Sequence, residues 1–170
     1  MIRQVKATGA FQGALFSAAG TVAAAIRIWQ GEIDNAFVFT GYGDHHAGTG
    51  FFGGGCYFNG AAIAIHELTH RFGVKQAAII DTDAHHANGT WQVFQDNAEV
   101  LYVCFCSSSF VESKNKVNIE VPWTTNDDNY VQLVRESFIP HARAFPARVH
   151  LLELGLRRDT GRVRGYGTHA

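Results

Sequence analysis

Four of the nine histidines stand as two adjacent pairs, His45-His46 and His85-His86. Each pair belongs to a short polar cluster, Gly41-Tyr42-Gly43-Asp44-His45-His46-Ala47 in one case and Asp81-Thr82-Asp83-Ala84-His85-His86-Ala87-Asn88-Gly89-Thr90 in the other. In an extended segment alternate side chains share a face, so Asp81, Asp83 and His85 project together. A carboxylate and an imidazole suit Zn²⁺ or Fe²⁺, and a catalytic site of this kind takes three protein ligands and keeps one position for water. Asp83 and His85 supply two. Paired imidazoles such as His45 and His46 can activate water and pass protons. The competing reading is structural: Asp81 and Asp83 cap the following helix, and the histidines are satisfied polar groups. A second double histidine at the end of another strand favours the metal reading.

Other ligand types are less telling. His66 and His70 lie one helical turn apart, a spacing that can hold a metal but more often marks a solvated or capping role. Cys56, Cys104 and Cys106 lack the C-x-x-C spacing of a zinc knuckle or redox motif and read as structural thiols. Cys104 and Cys106 share one face of a strand, where a metal pair is conceivable, but no His or Cys partner stands nearby.

The clusters must be positioned by regular elements. Phe11 to Gln30 has apolar residues at helical spacing and predicts an amphipathic helix, and Ala36–Thr40 has the length and character of a buried strand. A second helix runs from Asn59 to about Arg71, ended by Gly73. Gln76–Ile80 and Val100–Phe105 predict buried strands, with a short helical piece near Trp91–Phe94 between them. Ser107–Lys116 reads as loop and Val117–Val121 as an edge strand stopped by Pro122. A helix follows from about Tyr130 to Ala144, which Pro140 should kink or interrupt, and Arg148–Glu153 is the last strand. This alternation predicts a single α/β domain with a mainly parallel sheet and helices on both faces. Ligands collect beyond the carboxyl ends of such strands, where both clusters fall.

At 170 residues, 46% apolar and 17% charged, the chain can bury one sizeable core. A formal net charge of −1 offers no field for steering nucleic acid or an anionic membrane. No run approaches the roughly 20 apolar residues of a membrane helix, and Met1-Ile2-Arg3-Gln4 opens no signal peptide, so the expected location is cytoplasmic. No nucleic-acid or membrane partner is expected.

Taken in order, His45-His46 after a Gly-rich turn, Gly54-Gly55-Cys56-Tyr57-Phe58-Asn59 leading into a helix, the Asp81–Thr90 cluster, Val100–Cys104 and Asn118-Ile119-Glu120-Val121-Pro122 resemble the signature blocks of the histone deacetylase and acetylpolyamine amidohydrolase family. The similarity covers most of the chain, up to Gly155. It implies an arginase/deacetylase-like fold and a Zn²⁺- or Fe²⁺-dependent hydrolase that removes an acyl group from lysine or a polyamine. By this resemblance Asp83 and His85 are two of three metal ligands, and His45 and His46 flank the reacting water. Asp81 is the carboxylate behind His45. Asn88 stands behind His46, where the family usually has a carboxylate. Asp81, Asp83 and the Cys104–Phe105 backbone lie near a structural potassium site. Gly54 and Gly55 line the acyl-lysine tunnel, with glycine at Gly55 where the family usually has an aromatic residue.

The resemblance breaks after Gly155. The family's third metal ligand is an aspartate in a Gly-aromatic-Asp turn, but Arg157 stands there, and a cation cannot coordinate a metal. Asp159 as a substitute sits two residues late. A one-nucleotide insertion accounts for the arginine-rich tail: back-translated with one T removed after the Gly155 codon, it reads Gly-Tyr-Asp-Ala-Thr-Gln-Gly-Glu-Tyr-Gly-Asp-Met-Gly-Leu-Thr. Residues 1–155 are thus expected to form a partial catalytic domain and 156–170 an aberrant tail. The family's catalytic tyrosine would fall beyond Ala170, and the start of its usual domain before Phe11. The expectation is a deacetylase by family that is inactive as written. A non-catalytic member acting as a binding module is the alternative, and a two-metal ureohydrolase is disfavoured by the single ligand set.

Overall fold

The computed structural model describes residues 9–106, 110–113, 115–122 and 124–153. They form two compact units. One comprises the residues up to Lys75 with Asn88–Asp96, and the other Gln76–Ala87 with the residues from Asn97 onward.

The first unit is helical. Helix α1 (Ala10–Trp29) turns Ala14, Ser17, Ala18 and Ala25 inward. It carries Arg27 as its one charge, and by length and composition it could cross a membrane. The expectation that no run reaches that threshold is therefore corrected: many alanines with a few larger apolar residues suffice. Helix α2 (Gly60–Phe72) starts where Asn59 accepts a hydrogen bond from the Ala62 amide at 2.9 Å, and ends at Gly73 in the left-handed conformation (φ 68°). Helix α3 (Asn88–Phe94) is short and buries Gly89, Thr90, Trp91 and Phe94. Ala36–Thr40 forms no strand, which corrects the sequence reading. An apolar run becomes a strand only where a neighbour completes its hydrogen-bond ladder, and here Phe37 and Phe39 are 64% and 82% exposed.

The second unit is a five-stranded sheet ordered β3-β4-β2-β1-β5, from β1 (Ala77–Asp81), β2 (Val100–Cys106), β3 (Phe110–Ser113), β4 (Lys116–Glu120) and β5 (Val149–Glu153). The pairs β1–β2, β1–β5 and β2–β4 are parallel and β3–β4 is antiparallel. The mainly parallel α/β class is as expected. Two details differ: the stretch read as loop contains β3, and β4 consequently lies inside the sheet instead of at its edge. Lys116 opens β4 fully buried, its Nζ donating to the carbonyls of Asn97, Val100 and Asn115. A buried ammonium is tolerable only with such partners.

Side-chain alternation gives this sheet two different faces. Ala78, Ile80, Leu101, Val103, Phe105, Val117 and Ile119 form an apolar face, packed against Tyr130, Leu133, Val134 and Phe138 of helix α4 (Asp127–Ala144). Burying side chains of this size contributes about 1.5–3 kcal/mol each. Helix α4 begins three residues earlier than predicted, because Asn126 accepts from the Asn129 amide and caps it there. It also runs through Pro140 without interruption, with the His141 ring donating to the Ser137 carbonyl at 2.7 Å beside the missing N–H. The opposite face carries Asp81, Tyr102, Cys104, Cys106, Lys116 and Asn118, all buried.

Candidate active site

In the helical unit, the loop carrying His45 and His46 is gripped from two helix starts. The His45 carbonyl accepts from the Gly89 and Thr90 amides, both at 3.0 Å, at the first turn of α3. Asn59, having capped α2, donates to the Ala47 carbonyl at 3.2 Å and to Thr90 Oγ1 at 2.9 Å. Asp44 takes hydrogen bonds from the Gly60 and Ala61 amides, and burial raises its carboxyl pKa from 3.8 to about 6, against the opposing pull of those amides and His45. Gly89 is required by contact: a Cβ there would stand 2.5 Å from the Ala47 carbonyl group.

The two imidazoles lie 4.2 Å apart between ring centres, His45 buried and His46 half-buried. His46 Nδ1 is 2.6 Å from Asn88 Oδ1. The amide oxygen accepts, so Nδ1 carries the proton and Nε2 the lone pair. Gly54 and Gly55 occupy the middle of a tight turn, with φ of 57° and 80° and the Cys56 amide donating to the Gly53 carbonyl at 2.8 Å. Two successive positive φ angles define a type I′ turn, for which glycine is the natural choice. A Cβ on Gly54 would reach within 2.2 Å of the His46 ring, whereas nothing lies within 4 Å of the Cβ position on Gly55.

In the sheet unit, Asp81, Asp83 and His85 follow β1. Asp81 is fully buried; its Oδ1 accepts from the Asp83 amide at 2.9 Å and its Oδ2 from the Tyr102 hydroxyl at 3.2 Å. Burial and the Asp81 charge push the Tyr102 phenol well above its ordinary range. Asp83 Oδ1 meets both the backbone amide and the ring Nδ1 of His85, at 2.8 and 2.7 Å. Two atoms bound to one zinc at about 2.0–2.1 Å would sit roughly 3.3 Å apart, so a small opening of this pair suits an ion. The donor chemistry fits as well, a carboxylate oxygen beside an imidazole nitrogen. The position of the expected third ligand, at Arg157, lies outside the described residues, as does the whole expected aberrant tail, 156–170.

Sequence reasoning missed three things here. The fold brings His86 to Cys104 and Cys106, with ligand atoms all within 4.8 Å of one another, which corrects the view that no histidine stands near that pair. Asn118 touches His86 Nδ1 at 3.1 Å, and Tyr102 holds Asp81. The signal was present as strand parity, but only the register reveals that Asp81, Cys104 and Asn118 stand in one row. His66 stacks on Phe94, with ring centres 5.9 Å apart, and His70 is exposed.

Residues 4–160 match the histone deacetylase domain. The chain belongs to the histone deacetylase family. Similar proteins include a probable deacetylase of Archaeoglobus fulgidus, 30% identical over 161 residues, with 86% of this chain and 44% of that protein covered. Acetylpolyamine amidohydrolase 2 of Pseudomonas aeruginosa is 48% identical over 58 residues, covering 34% of this chain and 17% of the relative. Among solved structures, the crystal structure of the HDA15 HD domain superposes with a TM-score of 0.77 at 25% identity, covering 91% of this chain and 50% of that one. The chain thus spans less than half the length of these curated relatives.

Proposed function

We propose that the chain carries part of the active site of a metal-dependent deacetylase that hydrolyses an acyl-amide of lysine or of a polyamine. The observation that carries this reading is the orientation of His46 by Asn88, which leaves Nε2 as a ready proton acceptor. Asp83 and His85 would hold a zinc or ferrous ion. When bound, such an ion supplies Lewis acidity for an amide carbonyl and a more acidic water. His46 accepts a proton at Nε2, and its neutral Asn88 partner fixes the ring without the added basicity a carboxylate would bring. His45, anchored through its carbonyl, supplies the second imidazole. Gly54 keeps a side chain away from the His46 ring, and the bare Gly55 position leaves room for an acyl chain.

With Asp83 and His85 as its two ligands, this site is expected to hold zinc weakly, and the chain as written to turn over negligibly. The test is a zinc-loaded chain assayed on an acetyl-lysine peptide and on an N-acetylated polyamine, alongside thermal melts with and without zinc. The expected result is no turnover, with a melting midpoint that rises with zinc and rises less in Asp83→Ala, where the Asp83–His85 pair is lost. Turnover at the rate of full-length relatives would overturn the inactive assignment. A cooperative melt indifferent to zinc would favour the other reading, a non-catalytic binding module.

A further inference from the structure

The buried polar face of the sheet holds a set of ligands that the proposed hydrolytic chemistry does not use. Cys104 and Cys106 alternate along β2 and so point to the same face, both essentially inaccessible to solvent. The chain leaving β1 carries His86 over them, and the ligand atoms of the three residues lie within 4.8 Å of one another. Two sulfurs and one nitrogen on a single zinc would stand somewhat under 4 Å apart, given Zn–S of about 2.3 Å and Zn–N of about 2.0–2.1 Å. The cluster therefore needs to contract by less than about 1 Å.

Asn118 is placed to support such a ligand. Asn118 lies across from Cys104 in the β2–β4 register, is 1% exposed, and touches His86 Nδ1 through its amide nitrogen. Its amide oxygen, on the same carbon as that nitrogen, is buried and has no hydrogen-bond donor among the described residues. An orphaned buried acceptor costs free energy, and the tautomer that ligation imposes on His86, with its proton on Nδ1, satisfies that oxygen once the amide turns over. The donor set also selects the ion. Thiolates and imidazole favour zinc and its neighbours, whereas potassium, calcium and magnesium prefer oxygen.

We propose that His86, Cys104 and Cys106 form a second metal site, built for a thiophilic divalent ion such as zinc and separate from the Asp83–His85 pair. Ligation through His86 Nε2 puts the ring proton on Nδ1, and the Asn118 amide, turned over, accepts it at Oδ1 and so orients the imidazole. Binding ties the segment after β1 to the end of β2, and His86, half-buried while both cysteines are fully covered, is the side from which the ion enters.

Cobalt(II) reports on this site directly, because thiolate ligands give it charge-transfer absorption in the near ultraviolet that oxygen and nitrogen ligands do not. Titrating the full chain with cobalt chloride is expected to produce that absorption, and zinc to bleach it. The signal should persist in Asp83→Ala and Cys56→Ser and fall at least tenfold in Cys106→Ser. X-ray absorption of the zinc-loaded, unsubstituted chain should show sulfur neighbours at about 2.3 Å, a result independent of whether any variant folds. Oxygen and nitrogen scatterers alone, or charge transfer that survives Cys106→Ser and Cys104→Ser together, would overturn the site.

Discussion

His46 and His85 are both imidazoles in a polar cluster, yet the molecule fixes them by opposite means. Around His46 the backbone does the positioning: the His45 carbonyl sits on the first turn of α3, and two glycines are demanded by contacts with Ala47 and the His46 ring. Around His85 the sheet register does it, since Asp81 stands opposite Cys104, and Cys104 opposite Asn118. A loop held by close backbone approach fails when atoms are added. A strand row fails when one member of a buried polar set is removed.

The largest effect should come from adding one carbon to the loop. Gly89→Ala places a methyl group against backbone that cannot yield, and should cost about 3 kcal/mol in urea unfolding. A loss under about 0.5 kcal/mol would show that the loop adapts and that the backbone grip is weaker than its geometry. On the sheet side, Tyr102→Phe removes a hydrogen bond to a fully buried carboxylate and should cost about 2 kcal/mol by the same measurement. An unchanged midpoint would mean the row is not a connected set.

The smallest effect is a pH dependence confined to the loop. Folding raises the Asp44 pKa from 3.8 to about 6, so the folded state binds the proton more tightly. Its stabilising contribution is complete below the unfolded value and is lost as pH rises through about 6. Asp44→Asn should remove this term. The stability advantage of the variant over the parent should therefore grow by on the order of 1 kcal/mol between pH 4 and pH 7, after allowance for partial exposure. An advantage that shrinks over that range would reverse the assigned cause.

The sequence disclosed most where one short-range rule governs. Asn59 and Gly73 bracket α2 because a cap and a left-handed stop are local requirements, and strands β1, β2 and β5 follow from short apolar runs of fixed length. The tandem histidines and the Asp-x-Asp-x-His run were visible as motifs. What stayed hidden depends on neighbours far along the chain. Ala36–Thr40 has strand composition but no ladder, and β3 is polar enough to read as loop yet pairs with β4. The association of His86 with Cys104 and Cys106, like that of Asn118 with His86, needs the register of three strands, which no local pattern encodes.

The strand order has a further consequence for how this sheet comes into being. Strand β1 lies between β2, which follows it by some twenty residues, and β5, whose Val149 pairs with Ala77 more than seventy residues upstream. Closing that long parallel pairing carries an entropic cost that no local contact offsets in advance. During synthesis β1 and β2 can zip together early, while the far side of β1 stays open until β5 has emerged. The carboxylates at the end of β1 and just beyond it thus spend the growing chain's last interval beside an unfinished edge, and the timing of their final arrangement is set by a strand that contributes no proposed ligand.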